Sequence, residues 1–162
     1  MNFDAFVAAN LLVRFSIYTH LQSPRVIELG SSIKARLDFI LAEQGKADIS
    51  EGDAYGDIWL WTLGAYEVVR TMADPKWEGA WSPERYREIV EYKRFLADMR
   101  VPFAKQELRS GKAVSAENSV AGVDHENRTY FFEIEGKVFD VREQIDSFEW
   151  PTRRCCSRPS RQ

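Results

Sequence analysis

Cysteine is almost missing from this chain: the only two are the adjacent pair Cys155 and Cys156, in a segment otherwise rich in arginine. Neighbouring cysteines rarely bridge each other, because a disulfide wants Cα atoms about 5.5 Å apart with suitable side-chain directions. No disulfide framework is expected, and no cysteine–histidine spacing exists for a metal. Both points agree with a reducing cytoplasm. Histidine is equally scarce, with His20 and His125 alone. No apolar run approaches the roughly 18 residues needed to span a membrane. The apolar stretch from Ala5 to Val13 has Asp4 before it, Arg14 after it and no basic leader, so it reads as a core helix, not a signal peptide. Phosphate-cradling Walker and GxGxxG loops, serine nucleophile elbows and Glu-x-x-His pairs are all absent, and no cofactor or metal is expected.

What is present is aromatic bulk and charge. Ten Phe and five Trp in 162 residues must carry much of the packing, and a chain of this length suits one domain with a real core. Net charge is -3. The tail after Trp150 holds Arg153, Arg154, Arg158 and Arg161 and no acid, so the body before it is more acidic still. An acidic body disfavours phosphate-driven nucleic-acid binding, which needs a basic face.

The pattern along the chain predicts an α+β protein, predominantly α. A four- or five-helix bundle precedes a small antiparallel β meander or hairpin at about residues 118–142. Residues 1–150 form the domain, and 151–162 are a disordered basic tail. The first helix is expected from Asp4 to Leu21, ended by Ser23-Pro24, because the residue before proline is pushed out of the α region. The second runs from Pro24 to Gln44, with Ile27, Gly30, Ile33, Leu37, Ile40 and Leu41 as its stripe and Gly45 as its stop. The third runs from Ser50 to Met72. Ile58, Trp59, Trp61, Ala65, Tyr66, Val68, Val69 and Met72 cover a broad apolar arc on it, as a central helix requires. A loop with Trp77 and Trp81 follows. The fourth helix opens on Ser82-Pro83-Glu84, which supplies a cap, a proline in the first turn and an acid at the dipole's positive end. Pro102 should break or kink it, with a short helix on to Arg109 and a polar loop over Lys112–Ser119. Strands are expected at Val120–Asp124, Arg128–Ile134 and Lys137–Val141, and a last helix at Val141–Phe148.

Four groups of residues are candidates for function. The run Arg14-Phe-Ser-Ile-Tyr-Thr-His20 resembles the Arg…His signature of HEPN-family ribonucleases, which are helical bundles and usually dimers. The resemblance covers seven residues and the bundle. It implies Arg14 and His20 facing a cleft at a dimer interface, where cation and imidazole serve attack of a 2'-hydroxyl on phosphate. It departs from the family in lying on the first helix and in having Phe15 after the arginine. Without it, His20 reads as a helix-end histidine answering the C-terminal dipole. On the third helix Gly56, Leu60 and Gly64 recur every four residues. Each internal glycine costs about 1 kcal/mol relative to alanine, so a helix or ligand should approach closely there, with Glu67 and Arg70 on the border. Asp53 and Asp57 sit one turn apart, too few ligands for a hard metal. Arg100 and Lys105 flank Pro102 and could hold an anion or form salt bridges. Trp77 and Trp81 mark a binding hot spot if exposed and a lid on the bundle if buried. The expectation is a non-enzymatic cytoplasmic module acting by protein–protein or self-association, with a HEPN-type ribonuclease or toxin as the rival. Small-molecule binding near Glu67 and Arg70 is a third possibility, needing a pocket of about 300 Å³ or more.

Overall fold

A computed structural model of the protein describes residues 11–42, 50–105 and 120–156. It is predominantly helical, with a small three-stranded antiparallel sheet placed late in the chain. The order is α1 (Leu11–Phe15), α2 (Ile17–Ala42), α3 (Ser50–Met72), a 3-10 turn (Pro75–Ala80), α4 (Pro83–Lys105), β1 (Val120–Asp124), β2 (Thr129–Ile134), β3 (Lys137–Asp140) and α5 (Val141–Cys156). The cap at Asp4, the stop at Gly45, Asp53's side chain and the loop at 112–119 lie outside the residues described.

The break between the first two helices is not at Ser23-Pro24. It falls at Ser16, whose hydroxyl accepts from the Tyr18 amide at 3.2 Å in the manner of an N-cap. One helix, α2, then runs through Pro24. Proline there forfeits the bond to the carbonyl four residues back, a cost of about 3 kcal/mol in a helix interior. Packing on both sides of it offsets that cost. Thr19 and Ser23 before it and Val26, Gly30, Ile33 and Leu37 after it are all buried, while the Pro24 ring faces solvent. Pro102 likewise fails to end α4, which continues to Lys105 with Pro102 buried in its last turn.

Helices α2 and α3 run antiparallel along one another. Arg36 meets Asp57 at 3.3 Å near one end, and Val26 meets Gly64 near the other. Between them stands Trp61, fully buried, its indole beside Gly30 and its ring edge-on to Phe148 of α5 at 5.9 Å. A Cβ on Gly30 would come within 2.8 Å of Ile145 and 3.0 Å of Trp61, so glycine permits the close approach of three helices. Gly64 is crowded in the same sense, with Val26 at 3.0 Å, but Gly56 is open, with no atom of the described residues within 4 Å of its would-be Cβ. Gly56→Ala should therefore gain most of the helix-propensity difference, about 0.5–1 kcal/mol, read as a raised urea midpoint. An unchanged or lower midpoint would mean that something seats on that glycine.

The sheet has the order β1-β2-β3, with a bulge in β1 between Val120 and Gly122. Its second turn is Glu135-Gly136, both at positive φ, the conformation that two-residue hairpins require. Phe132, Ile134 and Phe139 carry the sheet into the same buried cluster as the helices. Phe139 lies 4.5 Å from Phe95 of α4, and Phe132 lies 6.0 Å from Tyr55 of α3. β3 passes directly into α5. Asp140 caps that helix, accepting from the Glu143 amide at 2.8 Å. Thr129 ties the cap to β2: its hydroxyl donates to Asp140 at 3.1 Å and accepts from the Arg142 amide at 3.2 Å. α5 does not stop near Phe148 but continues to Cys156, so residues 151–156 are helical, not part of a disordered tail. Its outer face is tied to α2 by Lys34, at 2.6 Å from Asp146 and 3.4 Å from Glu149. The bond to Asp146 leads in holding the Lys34 ammonium above the ordinary lysine range, against desolvation.

Candidate functional site

The residues singled out from the sequence are spread over α1 to α4 and the turn between α3 and α4. Arg14 is exposed on α1 and His20 is half-buried on α2, with the Ser16 break between them. Trp77 and Trp81 cover the end of the bundle. Both pack on Phe15, Trp77 edge-on at 5.3 Å and Trp81 stacked at 5.1 Å. The Trp81 indole also donates to the Met72 carbonyl at 3.3 Å. They lid the core, because a 3-10 turn capped by Asp74 folds the loop back over it. Arg100 lies over the Tyr66 ring at 4.9 Å, a cation–π contact joining α4 to α3. The Lys105 side chain lies outside the described residues.

Glu67 and Arg70 pair with each other at 2.8 Å on the exposed surface of α3. Glu67 also borders a groove of about 420 Å³ between α2 and α3. Its walls are Leu21, Gln22 and Arg25 on one helix and Leu63 and Gly64 on the other, with Val26 on its floor. The missing side chain at Gly64 makes this groove: Val26 rises against the bare backbone there. Large apolar side chains are exposed on the same two helices. Tyr18 is 72% exposed, Leu21 59% and Leu60 53%. Tyr18, Leu21 and Arg25 recur at three- and four-residue steps on α2, and Leu60, Gly64 and Glu67 do so on α3, so each set shares one helix face. The rest of the broad apolar arc of α3 is filled internally, with Ile58, Trp61, Ala65, Val68, Val69 and Met72 buried. Leu60, counted with the glycines on the polar arc, is the residue that turns outward.

A second concavity, of about 700 Å³, opens between α4 and the N-terminal half of α5, with the end of the sheet as its floor. Ile89 and Tyr92 come from α4, Asn127 and Thr129 from the first hairpin, and Asp140, Arg142, Glu143, Asp146 and Ser147 from the β3–α5 junction. The Tyr92 hydroxyl donates to the Gln144 carbonyl at 2.8 Å, and burial pushes its phenol well above the usual range, so it stays a neutral donor. Arg142 turns away. Its Nη2 donates to Asp38 at 2.9 Å and to the carbonyls of Arg128 at 3.0 Å and Lys34 at 3.4 Å, and its buried Nε has no partner among the described residues. Sequence reasoning did not find this cleft. Its residues come from three stretches, 88–92, 127–129 and 140–147, brought together only when the β3–α5 junction folds opposite α4. The one local signal is the Asp140…Glu143 spacing of a helix cap.

Among the described residues no three His, Cys, Asp or Glu side chains gather as metal ligands, and no helix is long and apolar enough to cross a membrane. No protein-family model, no curated protein and no solved structure matches this chain.

Proposed function

We propose that this chain is an association module that pairs with a second copy of itself through the α2–α3 face. The observation that carries the reading is the outward-turned apolar set Tyr18, Leu21 and Leu60 on the two helices that form the groove lined by Leu21, Val26 and Gly64. Scattered exposed leucines are ordinary, but apolar side chains bordering a concavity are what a partner's side chains fill. The charges at the rim suit a two-fold partner. Arg25 and Glu28 form one pair on α2, and Glu67 and Arg70 form another on α3. An isologous contact sets each patch against its own copy, so Arg25 of one protomer can meet Glu67 of the other. The acidic body gives such a module little use for nucleic acid, and adjacent cysteines without a disulfide framework suit the cytoplasm.

Light scattering on the full chain should show a concentration-dependent dimer. Leu21→Glu combined with Leu60→Lys should shift it to monomer with the helical circular dichroism intact, since both sites are exposed. A wild-type monomer at about 0.3 mM would exclude the reading, because that limit corresponds to only about 5 kcal/mol of association.

The rival of a HEPN-type ribonuclease draws on the same face, since Arg14 is exposed one turn before Tyr18. RNA cleavage lost in both Arg14→Ala and His20→Ala, with the dimer intact, would move the protein to that class. A dimer that leaves RNA uncut would remove it.

A further inference from the structure

We infer that the cleft between α4 and α5 binds a small organic monocation, an ammonium carried on an apolar or aromatic body. This rests on residues other than those of the α2–α3 face, so the two readings stand or fall separately. The cleft's size comes first: about 700 Å³ lies within the roughly 300–1,000 Å³ of small-molecule sites. Its α4 wall carries, beside Glu88, the buried Ile89 and the Tyr92 ring, which is held in place by the bond to Gln144.

The charge balance then selects the ligand. Four carboxylates border the cleft, and two of them are already paired: Asp146 with Lys34 at 2.6 Å, and Glu88 with Arg85 at 3.5 Å. Among the described residues no cation lies within 4 Å of Asp140 or Glu143. The one bordering cation, Arg142, is committed to Asp38 and two carbonyls. Asp140 is held by the Thr129 hydroxyl and the Glu143 amide, so its position is set in advance. Glu143 is exposed, and its carboxylate makes no hydrogen bond among the described residues. Ser147 sits one helical turn further along the same face, offering a hydroxyl beside it. A cation entering this space meets two carboxylates that no cation among the described residues pairs, offset only by the positive end of α5, whereas an anion meets four bordering carboxylates.

Helix capping alone also explains an acid at Glu143, since the first turn of α5 favours one. The test must therefore read binding and stability separately. Protonated phenethylamine and phenylacetate share a ring and differ in charge, and each would be titrated into the full chain while backbone amide NMR shifts are followed. The amine should shift Asn127, Glu143 and Ser147, and phenylacetate should not. Glu143→Gln should weaken the amine about fivefold or more with the fold unchanged. Ser147→Trp, at an exposed helix position, should block it by filling the mouth. No shift with the amine at about 10 mM overturns the inference, that being too weak for a built site. So does equal binding of phenylacetate. So does a Glu143→Gln variant that melts earlier yet binds the amine as the wild type does, which would leave capping as the whole role of Glu143.

Discussion

Trp61→Ala should cost about 3–5 kcal/mol of stability, the range for truncating a buried aromatic side chain. The residue is 1% exposed and stands where three helices meet. Its indole lies against the bare backbone of Gly30 on α2, and its ring meets Phe148 of α5 edge-on. The edge-to-face pair adds about 0.5–1.5 kcal/mol beyond the area buried. Ile145 of α5 also stands against Gly30, so α2 cannot simply move in to fill the void. The indole nitrogen has no partner among the described residues, so truncation strands no acceptor there, and the loss is one of packing and cavity. Urea unfolding followed by far-ultraviolet circular dichroism measures it. A loss below about 1 kcal/mol, the ordinary cost of a point mutation, would mean that the three helices are not joined there. Trp61→Phe should keep the ring contact and lose markedly less.

Where the sequence was legible, a long periodic segment or a strong local signal stood behind it. α3 runs Ser50–Met72 as its pattern predicts, and Ser82-Pro83 opens α4 with the Ser82 hydroxyl accepting from the Arg85 amide at 3.3 Å. Glu135-Gly136 makes the second hairpin turn because both residues can reach positive φ. Where it misled, tertiary packing overrode a local rule. Pro24 is a poor helix residue inside an excellent buried stripe, and the stripe won, while the true break at Ser16 carries only a modest cap signal. The Trp77–Trp81 loop fits either a hot spot or a lid by sequence alone, and Phe15 against both rings makes it a lid. Close approach at glycine was anticipated at Gly56 and Gly64, but only Gly64 has it, and the tightest helical contact is at Gly30. Which glycine faces a neighbour depends on the crossing of helices, and no spacing within one helix records that. The α4–α5 cleft is illegible for the same reason. Its carboxylates are ordinary surface acids in sequence, and only their common cleft makes them a set.

The sheet's standing in the molecule yields the second large effect. Phe132→Ala should cost about 3–5 kcal/mol and should destabilise the helices together with the sheet. Phe132 is fully buried in the middle of β2, paired with Val120 on one side and Phe139 on the other. Its ring also faces Tyr55 of α3, and its neighbour Phe139 meets Phe95 of α4. A β appendage, as the sequence pattern suggests, would unfold by itself and leave the bundle's transition unmoved. A sheet whose middle residue belongs to the bundle's core has no such freedom, since a three-stranded sheet with one face in the core draws its stability from that face. Helical circular dichroism and tryptophan fluorescence should therefore give one coincident transition in wild type and variant, displaced to lower urea in the variant. All five tryptophans lie outside the three strands, so fluorescence reports on the helical part alone. An unmoved fluorescence midpoint beside a lost sheet signal would show the sheet to be dispensable. The α4–α5 cleft, whose floor is that sheet, would then be built on a part of the molecule that opens on its own.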